Sequence, residues 1–285
     1  MAEPEGAETS NVDPLAVIGD WPVPNASAAV VSPGGPVATF GPVDHPFAVA
    51  SVTKLLLSYA CLVAVEEGTL DLDEAAGPPG ASVRHLLAHA AGCGFEDGVL
   101  APPGRRRIYS NIAMVLLAIH LGTRSAMAAT DYVLDAVIEP LKMAATRLDP
   151  GAPATGACST VSDLSRFAAE LLRPTLVHRA TLDLATAVAF PGLDGVLPGV
   201  GVQRPNDWGL GFEVRDHKAP HWTGTTNSPA TFGHFGASGT FLWVDPALDH
   251  ALVVLTDRAF GPWALDAWPV LSDSVVAGVG PTAPT

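Results

Sequence analysis

The 285-residue chain carries 29 acidic against 15 basic residues, a formal net charge of −14, and is 48% hydrophobic. That length and apolar content supply ample core for one large domain or two intimate lobes. The charge excludes a nucleic-acid footprint, which needs clustered Lys and Arg. No uncharged apolar run reaches membrane-spanning length, so neither nucleic acid nor a membrane is an expected partner.

Residues 1–14 are acidic and lack both a basic n-region and an apolar h-region, which reads as a mobile leader and not a secretory signal. "ASAAVVSPGGPVATF" (26–40) holds two short β-prone runs around Ser32-Pro33-Gly34-Gly35, the pattern of a hairpin. An apolar helix follows from about 51 to 67 and ends at Gly68. Ser82 can cap a helix over "VRHLLAHA", and the run Arg105-Arg106-Arg107 reads as a solvated loop or strand edge. "SNIAMVLLAIHLG", "SAMAATDYVLDAVIEPL" and "TVSDLSRFAAELL" have helical periodicity, the last with Thr160 and Asp163 at capping-box spacing.

From about 208 the pattern turns to short strands: "GLGFEV", "TFGHFG", "GTFLWV" and "HALVVLT", before a helix bent at Pro269. Strands at both chain ends with helices between them predict an α/β (α+β) fold. Its antiparallel sheet is assembled from the two termini, with a mostly helical lobe inserted. The expected organisation is a single domain over 15–280, its sheet lobe at 15–70 and 205–280 and its helical lobe at 71–204. Cys61, Cys93 and Cys158 are odd in number and unpaired in spacing, as reduced thiols of a cytoplasmic protein would be.

Three stretches carry chemistry. Ser51 and Lys54 stand at i and i+3 at the head of the first helix, so the amine can reach the hydroxyl. Burial and the helix N-terminus both disfavour the ammonium, which moves the amine towards serving as a base for a serine nucleophile. A helix-capping Ser51 with an outward-snorkelling Lys54 fits the same letters. In "IYSNIAM", Tyr109 near a cationic amine can have its pKa lowered and relay protons, and Asn111 can hold a carbonyl; a core tyrosine with a Ser or Asn cap is the plainer reading. In "TFGHFGASGT", glycines flank His234, Gly236 and Ala237, marking either an edge strand with a turn or a place where a substrate approaches the backbone.

Taken together and in this order, Ser-Val-Thr-Lys, Tyr-Ser-Asn and His-Phe-Gly resemble the motifs of the serine β-lactamase-like superfamily. The resemblance is to its branch with class C β-lactamases, D-alanyl-D-alanine carboxypeptidases, D-aminopeptidases and family VIII carboxylesterases. "VRHLLAHAAGCG", "DWGLGF" and "WVDP" are similar to that branch too, so the resemblance spans most of 15–275. It implies a β-lactamase/transpeptidase-like fold and an acyl-enzyme at Ser51, with Lys54 as base partner and Tyr109 as proton shuttle. Asn111 would orient substrate, Gly236 would leave room for its backbone, and the Ser51 and Ala237 amides would form the oxyanion hole. No cofactor is implied, and the partner is a small-molecule ester, amide or peptide.

His234 stands where the branch's antibiotic-handling members have lysine, which weakens the field that holds a substrate carboxylate. The expectation is therefore a carboxylesterase-like serine hydrolase, with β-lactamase or carboxypeptidase/aminopeptidase activity, or a catalytically silent binding module, as alternatives. His85, His89 and Cys93, at i, i+4 and i+8, mimic a metal-binding face but lack the glutamate of H-E-x-x-H, so no metal site is expected.

Overall fold

A computed structural model describes residues 13–280, so the expected leader at 1–14 lies outside the described residues except for Asp13 and Pro14. Strands β1 (Ala26–Ser32) and β2 (Gly35–Phe40) form the hairpin. Gly35, at φ +115°, takes a backbone conformation open to glycine, and the Ser32 hydroxyl accepts from the Gly34 amide at 3.2 Å. β3 (Phe47–Ala48) leads into the 3₁₀ turn Ala50–Val52 and helix α1 (Thr53–Glu66), which is apolar all round and buried at all but its last two residues. Then come α2 (Val83–Leu87), β4 (Arg107–Ile108), α3 (Asn111–Ser125), and α4 (Ala129–Val133), which runs on as a π-helical turn to Ile138. β5 (Cys158–Ser159), α5 (Val161–Leu172), α6 (Arg179–Thr186), β6 (Gly195–Leu197) and β7 (Gly201–Gln203) complete the middle of the chain. β8 (Glu213–Val214), β9 (Phe232–Gly236), β10 (Thr240–Asp245), β11 (His250–Thr256) and α7 (Pro262–Val279) close it, with Pro269 inside α7 without ending it.

The main sheet has the order β2-β1-β11-β10-β9-β8 and is antiparallel throughout. Its central strands read as unbroken apolar runs because both faces are covered. Ala29, Val31, Leu242, Val244, Val253 and Leu255 join the core around α1 and α5. Their neighbours Ala28, Val30, Phe241, Trp243, Leu252 and Val254 join a second core with Trp268, Leu271 and Val275 of α7. The two-residue strand period sorts alternate side chains to opposite faces. The fold is the mixed α/β, antiparallel-sheet architecture expected, with the helical segments inserted between the sheet-forming ends.

Local departures have physical causes. The helix expected over 83–90 stops at Leu87, because His89 turns to φ +52° to lie beneath Tyr109, and the Ser82 hydroxyl engages His85 Nδ1 at 3.0 Å instead of capping a backbone amide. "GLGFEV" yields strand only at Glu213–Val214, since Gly211, at φ +88°, is pressed against Ser58 of α1 so closely that a Cβ there would fall 2.0 Å from the Ser58 hydroxyl. Arg107 corrects the reading of the basic run as solvated: it is 1% exposed and donates to the carbonyls of Ala88, Ala189, Phe190 and Asn206, while Arg105 and Arg106 are exposed. No single helix among the described residues is long and apolar enough to cross a membrane.

Candidate active site

The site begins with a strained turn. Ala50 holds φ +44°, a left-handed conformation uncommon outside glycine, immediately before Ser51. Neighbours fix it from three directions: the Thr53 hydroxyl donates to the Ala50 carbonyl (2.6 Å), the Thr240 hydroxyl of β10 donates to the Val49 carbonyl (3.0 Å), and the Val49 amide donates to the Ala157 carbonyl (3.0 Å). β9 also presses on this turn. A Cβ on Gly236 would fall 2.4 Å from the Val49 carbonyl, so the space left by this glycine is filled by the turn that carries Ser51 and not by a substrate backbone. Gly236→Ala is therefore expected to destabilise the fold by about 1–3 kcal/mol and to cut turnover by displacing Ser51. A thermal melt and an ester assay on the same preparation check both.

Lys54 Nζ lies 3.1 Å from Ser51 Oγ and 3.3 Å from the Ala154 carbonyl, and its side chain is almost entirely buried. Burial lowers its pKa to about 7, against a smaller opposing pull from Glu96, so the neutral amine is available near neutrality. The same ammonium position is 5.2 Å from the centre of the Tyr109 ring. Burial raises the Tyr109 pKa well above the ordinary range, more than its interaction with the Ser51 hydroxyl lowers it. Tyr109 is thus a neutral phenol, contrary to the lowered pKa expected beside a cation, because a buried phenolate costs more than one neighbouring amine returns.

Tyr109 is fixed by rings: His89 at 4.7 Å, Trp208 at 5.7 Å, His234 at 5.5 Å and a stacked Phe95 at 5.9 Å between centroids. His234 on β9 is buried, and its Nδ1 lies 2.6 Å from the Phe235 carbonyl, so Nδ1 bears the proton and Nε2 is left as an acceptor without a partner. Burial, with Lys54 nearby, lowers its pKa to about 3. No His234 titration is expected between pH 5 and 8.

Ser51, Tyr109, His234 and Ala237 line one cavity of about 140 Å³, together with Trp208, Phe235, Phe260 and Glu213. The Ala237 amide has no hydrogen-bond partner among the described residues and is free to hold an oxyanion. Asn111 does not line this cavity: Ser110, not Asn111, caps α3 (2.9 Å to the Ala113 amide), and the Asn111 amide donates to Glu96 at 2.8 Å.

Sequence reasoning did not single out Glu213, the only charged side chain on the cavity wall among the described residues. Its carboxylate receives bonds from Lys218 Nζ (2.5 Å), His221 Nε2 (2.9 Å) and the Trp222 indole. Burial pushes its pKa up, but His221 and Lys218 outweigh that and hold it well below the carboxylate range. Its signal was present in "FEVRDHK", a rare lysine five residues beyond a glutamate on a short strand. His85, His89 and Cys93 do not share a helix face, since the helix ends before His89, and no group of three His, Cys, Asp or Glu among the described residues could hold a metal ion.

The Beta-lactamase family model matches residues 18–275. A crystal structure of a β-lactamase from Mycobacterium bovis is 57% identical, with TM-score 0.92, covering 93% of this chain and 99% of that one. Simvastatin synthase from Aspergillus terreus (a LovD6 mutant) is 16% identical, with TM-score 0.74, covering 94% and 96%. EstCE1, a hydrolase with promiscuous acyltransferase activity, is 16% identical, with TM-score 0.72, covering 91% and 95%. The last two share the fold. A search of curated proteins found no match. Since the match runs from the 3₁₀ turn Ala16–Asp20 ahead of β1 to the last turns of α7, enclosing the whole sheet and every side chain of this cavity, the chain belongs to the Beta-lactamase family.

Proposed function

We propose that this chain is a serine hydrolase that cleaves small uncharged esters through an acyl-enzyme on Ser51. Lys54 takes the Ser51 proton as Oγ adds to the ester carbonyl, and the Ser51 and Ala237 amides hold the oxyanion. As the C–O bond breaks, Tyr109 gives its phenolic proton to the departing alkoxide and recovers one from the Lys54 ammonium. Water, deprotonated through the same pair, then releases the acid and returns the proton to Ser51. Amides of similar size are the harder substrates, because their leaving nitrogen needs that proton earlier.

The observation that carries ester over β-lactam or D-amino-acid peptide is the wall of the cavity. No lysine or arginine lines it; His234 is neutral and offers an acceptor, and Glu213 is anionic. A substrate carboxylate would meet no permanent cation on that wall, only Lys54 behind Ser51, half neutral near pH 7. The 57% identity to a protein named a β-lactamase favours the second reading, penicillin hydrolysis. The free Cys61, Cys93 and Cys158 fit work in a reducing compartment such as the cytoplasm.

Intact-protein mass spectrometry after exposure to p-nitrophenyl butyrate and, separately, a penicillin separates these readings. A butyryl adduct mapping to Ser51, absent from Ser51→Ala, with no penicillin adduct, is the expected result. A penicilloyl adduct that turns over would replace the esterase reading, and no adduct from either, nor from a fluorophosphonate, would leave a binding module.

A further inference from the structure

Beside the catalytic cavity lies a second, larger recess of about 370 Å³, of whose walls the proposed chemistry uses only Tyr109. It is floored by β4 and β6, which pair in parallel at Arg107↔Gly195 and Ile108↔Val196, and walled by Leu100, Val196, Pro198 and Phe95, with the exposed Arg106 at its rim. Phe95, Tyr109 and Pro198 line both spaces, so the two adjoin along a shared wall. Three of its apolar side chains are unusually open to water: Phe95 is 49%, Leu100 67% and Val196 52% exposed. Exposed apolar residues grouped at the mouth of a cavity mark a place where something apolar is covered.

Resting on the ester-hydrolase reading, we infer that this groove holds the alcohol portion of the ester, and that the substrates are short acyl esters of extended apolar or aromatic alcohols. The assignment of halves follows from Tyr109. In the reaction above its phenol protonates the leaving oxygen, and the groove runs alongside Tyr109 and the Phe95 ring stacked on it. The cavity that Ser51 itself lines is the smaller of the two and is walled by Trp208, Phe235 and Phe260, which suits a short acyl chain. Binding the remote part of the alcohol helps to hold the scissile bond against Ser51, so alcohol size should act on kcat/KM.

The test compares two ratios of kcat/KM. One is hexyl acetate over methyl acetate, which varies the alcohol; the other is p-nitrophenyl octanoate over p-nitrophenyl acetate, which varies the acyl chain. For the wild type the first ratio should exceed tenfold and the second should fall below one. Leu100→Asp and, independently, Val196→Asp, both at exposed positions that a melt can certify as folded, should lower the first ratio at least fivefold and leave the second within twofold. A fall confined to the second ratio would put the acyl chain in the groove and overturn the assignment, and two unchanged ratios would remove the groove from substrate binding. Failure of the wild type to cleave any of the four esters would instead sink the hydrolase reading, and this assignment with it.

Discussion

Lys54→Met should lose at least a thousandfold in kcat/KM for p-nitrophenyl butyrate while becoming the more stable protein at pH 6. The rate follows from the geometry: with Nζ gone from its 3.1 Å contact, Ser51 has no base, and the neutral Tyr109 phenol cannot substitute for one. The stability follows from the lowered pKa. An unfolded lysine titrates near 10.5, whereas folded Lys54 titrates at about 7. Between those values the unfolded chain binds the extra proton, so wild-type stability rises with pH across that window. Below pH 7 the ammonium is buried in the folded state and its full destabilising effect, on the order of 5 kcal/mol, is present. Methionine fills the same space without the charge. Urea unfolding of both proteins at pH 6 and pH 9 checks this: the variant's advantage should shrink at the higher pH, and a constant gap would refute the buried-ammonium account. Wild-type kcat/KM should fall about tenfold per unit of pH below 7, and a profile flat from 5 to 8 would remove Lys54 as the base.

Arg107→Ala should cost about 3–5 kcal/mol, lowering the melting temperature on the order of 10 °C. Four carbonyls on three separate segments would lose their donor: Ala88 (2.5 Å), Ala189 (2.6 Å), Phe190 (3.1 Å) and Asn206 (3.0 Å). Burial lowers the pKa only to about 10, so the guanidinium stays charged at neutral pH and its bonds are charge-assisted. Arg107→Lys should recover little, because one ammonium cannot spread its donors across carbonyls that the planar fork spans. Two residues before Tyr109, the same loss should also lower kcat; a near-wild-type melt for either variant would show that these segments are held together by packing alone.

How far the chain could be read before its fold was known depended on what set each feature. Ser51 and Lys54 were legible because one helical turn joins them, and His234 and Ala237 because glycines crowd a single strand. The long helices and the strands β1, β9, β10 and β11 were legible because their period is carried by six or more residues or by clear turn signals. The small strands β3 to β7 were not, having two or three residues each and no period to detect. Phe95, Glu213 and the groove escaped because loops far apart in sequence bring them to the cavity, and Gly236 was misread because the atom it makes room for, the Val49 carbonyl, lies 187 residues away.

The sheet whose strands β9 and β10 hold the Ser51 turn is closed between strands from opposite ends of the chain. β1 pairs with β11 across some 230 residues, and the Thr240 bond to the Val49 carbonyl spans 191. Local contacts can form α1 early, but closing loops of that length comes late and slowly. During refolding, helicity should therefore return before Ser51 becomes reactive, and a chain still emerging from the ribosome holds a nucleophile that is present in sequence and not yet armed. On the acyl-enzyme reading proposed above, reactivity toward a fluorophosphonate should be the last property to return on refolding, after far-UV helicity.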